Sequence, residues 1–591
     1  MSLPKKLGIA AVMAAVVAVA VYLFFPGLPA PVKVYDVVQL NQEWTQEERQ
    51  RYYHTSEGSQ LMPYKWFLAL EQADNKKPFL DPDYIVRFRI LPDVNPLHNP
   101  DRLPVGFAKD PPGPAPEESV GITCAGCHTA QINYKGLGLR IDGAPGQLDL
   151  DLFLEHLGLA ITATRLDPVK FDRFARRVLG ADYNSANKNR LLQRVRQYIR
   201  GRLAVLLREL SADEESGAGA TTPGFGRIDA LVQGGNTLFS KLGPKNLRPL
   251  SSPVDIIPLW HAPSYGWVQS NASIRQPMAR NIIQTLAVGA SLVLPGNPET
   301  IYTSSVRLRS LAEMEEMASR LKAPVWPGWL FGELDRDKVA RGRALYQELC
   351  AGCHAPRLET PASNDGVPVM PGPYPPDPVS QAAGKRFYHL RIFDLDTIGT
   401  DPQSAVSFAT RTVDARALGF SAKEPAAKVI YKVVSGVMSR YYTEHNVPPE
   451  QQAVWNGDRA NYWRAPKAYP ARPLAGIWAT APFLHNGSVP NLYELLSPVE
   501  ERSTTFYVGN LEFDPVRVGY ETGRFKGGFK LDTAKTGNSN AGHEFRDGEG
   551  KGVIGRELTE DERWQLIEYL KALRFEDEAP APAGSEELKS S

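Results

Sequence analysis

The sequence predicts a mainly α-helical protein with little β structure, built from two modules with large helical and loop insertions. Three observations lead to this prediction. Apolar residues recur at helical spacing in several long stretches. Segments rich in proline and glycine separate those stretches. One pentapeptide, Cys-Ala-Gly-Cys-His, occurs twice in the 591 residues.

The N-terminal segment, residues 1–30, is predicted to be a membrane anchor or a signal segment. Lys5 and Lys6 precede an uncharged apolar run from Leu7 to Phe25, which at about 1.5 Å per residue is long enough to span a bilayer core of about 30 Å. The flanking charge places the body of the protein in the periplasm or otherwise outside the cytoplasm. Leu28-Pro29-Ala30 is a poor cleavage site, so a retained inner-membrane anchor is favoured over a cleaved signal peptide.

The charge balance gives no reason to expect nucleic-acid binding. The chain has 67 basic and 66 acidic residues and no long basic run. Its four cysteines all lie in the repeated pentapeptide, so no disulfide is expected to stabilise the fold.

Helices in the first module, residues 31–330, are predicted from apolar periodicity. The stretches run from Leu148 to Thr164, from Pro168 to Leu179 and from Asn187 to Leu210. Their many arginines are typical of a solvated helix face.

The second module, residues 331–575, is predicted to open and close with a helix. The opening stretch, Asp335 to Leu349, is charged and amphipathic. The closing helix runs through Phe575, and the segment from Thr559 to Glu562 forms a capping box at its start. The tail, residues 576–591, is rich in Pro, Ala and Glu and is predicted to be disordered.

The two pentapeptides predict two covalently bound haem c groups. Two thiols three residues apart can add across both vinyl groups of a porphyrin, and the following histidine can ligate its iron. A single copy would also suit a zinc half-site or a redox pair, but two copies that use every cysteine favour haem. The residues predicted to attach haem or ligate iron are Cys124, Cys127, His128, Cys350, Cys353 and His354.

The segment from Pro253 to Gly296 has two interpretations. It is rich in aromatic and polar side chains, and it could form an apolar wall with a few fixed polar groups above the first haem. The alternative is ordinary core with a helix from about Pro277 to Ser291. On the first interpretation, the candidate catalytic or wall residues are Trp260, Trp267, Met278 and Asn281.

Two further histidines lie in distinctive surroundings. His485 lies in the block ARPLAGIWATAPFLHNGSVPNLYELL, and His543 lies in GNSNAGHEF. With the two haem motifs, these blocks resemble the dihaem c-type cytochromes, which include bacterial cytochrome c peroxidases and methylamine-utilisation enzymes. More narrowly, they resemble the group of dihaem rubber oxygenase and the dihaem fatty-acid dioxygenases. The resemblance implies two cytochrome c-like haem domains.

The resemblance also implies roles for the histidines. The haem of His128 would keep an open side for dioxygen, and the second haem would be ligated by His354 and His543. His485 would support the haem environment through hydrogen bonding.

We therefore expect an oxygenase that adds dioxygen to a carbon-carbon double bond of an apolar substrate, such as polyisoprene or an unsaturated fatty acid. One alternative is a peroxidase that reduces hydrogen peroxide with electrons from a small donor cytochrome. A second alternative is a non-enzymatic electron-transfer cytochrome in which both irons are six-coordinate. The long interval between the two motifs favours the oxygenase, because an insertion there can build a cavity for a long apolar substrate.

Overall fold

The structure of the protein is a computed structural model. The structure describes residues 28–31, 33–93, 95, 99–113, 116–216, 219–359, 365–370 and 387–578. In these ranges no helix is long and apolar enough to cross a membrane. The predicted anchor, Leu7 to Phe25, lies outside them. The prediction of a membrane-anchored protein is corrected to this extent: the described residues contain no membrane-spanning helix.

Helices of very different length are distributed along the whole chain. The α-helices are Gln46–His54, Tyr64–Ala69, Pro82–Ile85, Cys124–Cys127, Leu150–Leu166, Pro168–Leu179, Ser185–Ser216, Ala230–Phe239, Pro277–Ala287, Leu308–Arg320, Gly328–Phe331, Arg336–Leu349, Ala351–His354, Leu395–Ile398, Gln403–Thr410, Ala426–Glu444, Pro449–Trp455, Leu492–Leu495, Glu560–Ala572 and Phe575–Glu578.

Strands form many small sheets. In one three-stranded sheet, Leu137–Asp142 pairs in parallel with Asp36–Gln39 and antiparallel with Thr129–Tyr134. In another, Ser119–Ile122 lies between Met62–Pro63 and Phe107–Asp110. Two-stranded pairs are Arg227–Ile228 with Val254–Asp255, Arg357–Leu358 with Tyr388–His389, Val369–Met370 with Trp463–Arg464, Ile392–Asp394 with Ala468–Pro470, Thr412–Val413 with Glu424–Pro425, Thr505–Val508 with Phe529–Asp532, Phe513–Asp514 with Gly519–Tyr520, and Glu544–Phe545 with Val553–Gly555.

The prediction of a mainly α, cytochrome-like fold with little β structure is therefore wrong. Of the described residues, 41% are helical and 15% are in strands, and they form no dominant helical bundle. The longest strands were missed because they are short and their polar residues are buried together with the apolar ones. Leu137–Asp142 has six residues, and its sequence alternates between apolar and polar or small residues, but every position is buried, so the alternation does not mark a solvent-exposed face.

Capping side chains explain why several predicted helices begin where they do. Asp167 accepts hydrogen bonds from the amides at the start of Pro168–Leu179, and Asp335 does the same for Arg336–Leu349. The capping box of Thr559 and Glu562 is present before Glu560–Ala572. These helix starts were predicted and are confirmed. The helix that starts at Pro277 ends at Ala287, four residues earlier than predicted (291 − 287).

The largest hydrophobic cluster joins residues that are far apart in sequence. It contains Trp44 and Tyr52 from the beginning of the chain together with Trp478 and Leu566 from near its end. Within it, Arg336–Leu349 packs on Glu560–Ala572 at Gly342. A Cβ atom at Gly342 would lie only 2.0 Å from the carbonyl oxygen of Gln565, so the close approach of these helices requires glycine.

Candidate functional site

The first pentapeptide lies between the two three-stranded sheets. The strand Ser119–Ile122 ends just before it, Cys124–Cys127 forms one helical turn, and Thr129–Tyr134 begins directly after His128. The turn packs closely on Gly106, where a Cβ atom would lie 2.0 Å from the amide nitrogen of Gly126. The motif is thus held on both sides by regular structure.

His128 has the tautomer that a metal ligand requires. Its Nδ1 lies 2.9 Å from the carbonyl oxygen of Ile257. A carbonyl oxygen only accepts, so Nδ1 carries the hydrogen and Nε2 has a free lone pair. Removal from water lowers the pKa of His128 to about 4, although the Ile257 carbonyl opposes this shift. The imidazole is therefore neutral at physiological pH.

Two adjoining cavities meet at His128 and Cys124. The larger, of about 150 Å³, is also lined by Cys127 and has mainly apolar walls. The smaller, of about 50 Å³, shares Gln269 with it. Apolar side chains lining the larger cavity include Ile122, Leu150, Ile228, Ile274, Phe408 and Trp463. Two thiols and an unprotonated imidazole nitrogen beside such a space fit a covalently attached haem.

Glu57 is a buried acid beside the first pentapeptide, and the sequence analysis missed it. Its Oε1 accepts a hydrogen bond of 2.5 Å from the amide of Cys124, and its side chain lines the larger cavity. Burial raises its pKa to about 7. Thr123, which precedes the turn, provides no side-chain cap, so Glu57 supplies the acceptor at its first amide. No local pattern around Glu57 identifies this long-range contact.

The second pentapeptide follows the helix Arg336–Leu349, with Cys350 at the helix end. Nδ1 of His354 donates to the carbonyl oxygen of Arg472 at 2.7 Å. The two proximal histidines thus have the same kind of partner, a backbone carbonyl from a distant segment. Desolvation lowers the pKa of His354, opposed by the Arg472 carbonyl.

His543 lies close to His354, and the two ring centroids are 6.1 Å apart. The backbone of His543 is in the left-handed region, with φ 48°, and its amide donates to the carbonyl of Ile398. Burial, together with the neighbouring His354 and Arg502, lowers the pKa of His543 to about 3. Its buried Nδ1 has no hydrogen-bond partner among the residues that the structure describes.

The ring of His485 packs on an aromatic neighbour. The imidazole stacks on Tyr469 with 3.8 Å between the ring centroids. The backbone carbonyl of His485 accepts from the amide of Asp255 at 2.9 Å, and Asp255 lines the larger cavity. Burial lowers the pKa of His485 to about 3. A role in supporting the haem environment stays a prediction.

Of the four candidate wall residues, Asn281 lines the smaller cavity. The other three are buried but line neither cavity. Trp260 donates from Nε1 to the carbonyl of Ala475 at 3.0 Å, Trp267 lies under the guanidinium of Arg464, and Met278 packs in the core. Trp463, from the second predicted module, lines the larger cavity instead.

Comparison with known proteins supports a cytochrome. A family model described as RoxA-like, cytochrome c-like, matches residues 468–507. The uncharacterized protein y4iJ of Sinorhizobium fredii is 38% identical over 606 residues, which cover 96% of this chain and 99% of the relative. The chain belongs to the y4iJ family. A second relative, the uncharacterized protein y4iM of the same organism, is 26% identical over 57% of this chain and 68% of its own length.

The cytochrome match has a direct chemical consequence for this member of the y4iJ family. A cytochrome c-like domain implies covalently bound haem c and, at a coarse level, a haem-dependent oxidoreductase. The matched segment contains Arg472 and His485. The resemblance to the rubber-oxygenase group is supported to this extent. The number of haems, the relation to peroxidases and the specific reaction stay predictions.

Proposed function

We propose that this protein is an oxidoreductase with two haem c groups and that its first haem site adds dioxygen to a carbon-carbon double bond of an apolar substrate. The observation that carries the proposal is the unequal surroundings of the two proximal histidines. His354 has a second imidazole, that of His543, with its centroid 6.1 Å away. Of the described residues, His128 is the one histidine that lines either of the two cavities beside it.

Cys124, Cys127 and His128 would hold the first haem, and Cys350, Cys353, His354 and His543 would hold the second. A bound haem would supply a redox-active iron and, where its sixth position is open, a site for dioxygen or peroxide. The protein orients the Nε2 atoms of His128 and His354, because the carbonyls of Ile257 and Arg472 fix the tautomer of each proximal histidine.

The walls of the larger cavity favour an apolar substrate. Ile274, Phe408 and Trp463 present hydrocarbon surface there, which excludes water and can align an alkene. In the smaller cavity the polar groups bind one another. Arg280 Nε donates to Asn281 Oδ1 at 3.0 Å, and Asn281 Nδ2 donates to Glu315 at 3.2 Å. These hydrogen bonds occupy part of the polar capacity of the group, while Glu315 Oε1 has no partner among the described residues.

Isotope labelling tests the reaction. Purified protein with measured haem content is incubated with polyisoprene or oleate under labelled dioxygen, and the products are analysed by mass spectrometry. We expect label in hydroperoxide or carbonyl products. A His128→Ala variant is the matched control and should incorporate none. Fast peroxide reduction with a reduced cytochrome as donor, without labelled product, would reject the oxygenase in favour of the peroxidase.

A further inference from the structure

Arg472 contacts both candidate haem sites. Its backbone carbonyl accepts the hydrogen bond from Nδ1 of His354 at 2.7 Å. Its guanidinium Nη2 donates to the carbonyl of Gln269 at 2.8 Å. Gln269 lines both cavities that meet at His128. One residue therefore joins the proximal ligand of the second site to the wall of the first.

The side chain places a permanent positive charge between the two sites. An arginine guanidinium does not lose its proton in proteins, and a charge acts over a longer distance in a protein interior than in water. Arg472 is not paired in an ion pair with any carboxylate of the described chain. The carboxyl of Asp255 interacts electrostatically with Arg472, accepts from the amide of Ile256 and lines the larger cavity.

Asp255 also connects this region to the first proximal histidine. It lies two residues before Ile257, whose carbonyl accepts from His128. The amide of Asp255 in turn donates to the carbonyl of His485, in the same segment as Arg472. The segment that orients His128 is thus hydrogen-bonded to His485, which follows Arg472 in the chain by thirteen residues (485 − 472).

We propose that Arg472 is a positioning residue that sets the redox potentials of both haem sites together. This inference rests on the proposed two-haem function. A positive charge stabilises the reduced state of a nearby iron, because reduction removes one positive charge from the metal. The hydrogen bonds of Arg472 keep that charge in a fixed place relative to both proximal histidines.

Spectroelectrochemical titration of the holoprotein tests the inference. The midpoint potentials of both haems are compared in the native protein, Arg472→Leu and Arg472→Lys. We expect Arg472→Leu to lower both potentials. Arg472→Lys keeps the charge, so its potentials should lie closer to the native values than those of Arg472→Leu. If Arg472→Leu fails to incorporate haem, Arg472→Gln, which also removes the charge, replaces it in the comparison.

A second buried arginine provides the control. Arg89 donates to the carbonyls of Gly509 and Val86 and lines neither cavity. Arg89→Leu should leave both potentials unchanged. A shift confined to one haem, no shift, or an equal shift in Arg89→Leu overturns the inference. The readout is the midpoint potential of each haem and not oxygenase activity. The measurement therefore tests Arg472 even if the protein does not oxygenate alkenes. Failure to find a second haem would instead reject the two-haem function itself.

Discussion

At each candidate haem site, a hydrogen bond to one backbone carbonyl orients the proximal histidine. The carbonyls of Ile257 and Arg472 accept from His128 and His354. Substitution of those two side chains leaves the carbonyl oxygens in place, so the orientation of the imidazoles is protected against many mutations. The pentapeptides predicted the cysteines and proximal histidines. They could not predict the carbonyl partners, because a backbone oxygen has no sequence signature.

His543 provides the most direct test at this scale. In the native protein we expect roughly half as many carbon monoxide molecules as haems to bind after reduction, because one of the two irons would be closed. His543→Ala should open the second site and bring the ratio to about one per haem. Difference spectra recorded at increasing carbon monoxide concentration measure the ratio of bound carbon monoxide to haem.

His445 is the matched control for that experiment. It is exposed and stacks on Tyr441, so His445→Ala should keep the native ratio. Full carbon monoxide binding in the native protein, or no increase in His543→Ala, would contradict the assignment of His543.

Elements were predicted best where local chemistry determines them. Thr559 was predicted as a helix cap and is one, and the helices predicted to start at Pro168 and Asp335 are capped by Asp167 and Asp335 in the structure. The strands beside the first pentapeptide were missed, because each has at most six residues and its polar side chains are buried along with the apolar ones. Trp463 was missed as a cavity residue because the fold brings it there from the second module.

The crossing of Arg336–Leu349 and Glu560–Ala572 gives a prediction about an element pair. In Gly342→Ala the new methyl group would meet the carbonyl of Gln565 at 2.0 Å, so the helices must separate. Overpacking of this kind costs about 1–3 kcal/mol, and the rigid backbone neighbour places this case at the upper end. Chemical denaturation followed by circular dichroism measures the loss.

Gly201 supplies the control for this substitution. It is exposed in the helix Ser185–Ser216, and no described atom lies within 4 Å of its Cβ position. Gly201→Ala should therefore raise stability by about 0.5–1 kcal/mol, since alanine loses less backbone entropy than glycine in a helix. Equal effects of both substitutions would show that the helix crossing tolerates a side chain.

At the scale of the whole molecule, Glu578 ties the end of the described chain to the interior. Its carboxylate accepts from the Tyr346 hydroxyl at 2.6 Å and from the amides of Leu474 and Ala475. Burial raises its pKa to about 7, from the ordinary 4.5. The folded protein thus binds this proton more tightly than the unfolded chain. Stability should fall as pH rises from about 4.5 to about 7, by about 3 kcal/mol from this group.

Glu578→Gln should remove that part of the pH dependence. Denaturation midpoints measured between pH 4 and 8 would then fall less steeply than in the native protein. The exposed Glu549 is a suitable comparison, and Glu549→Gln should retain the native slope. An unchanged slope in Glu578→Gln would show that its carboxyl does not titrate in this range.

The position of the first pentapeptide between two sheets has a consequence for biosynthesis. Ser119–Ile122 and Thr129–Tyr134 are hydrogen-bonded to their neighbouring strands, and each lies within two residues of the motif. A maturation enzyme needs to reach both sulfur atoms, which the completed sheets would obstruct. We therefore expect the porphyrin to be joined to a nascent, still open polypeptide, with strand pairing around it completed afterwards.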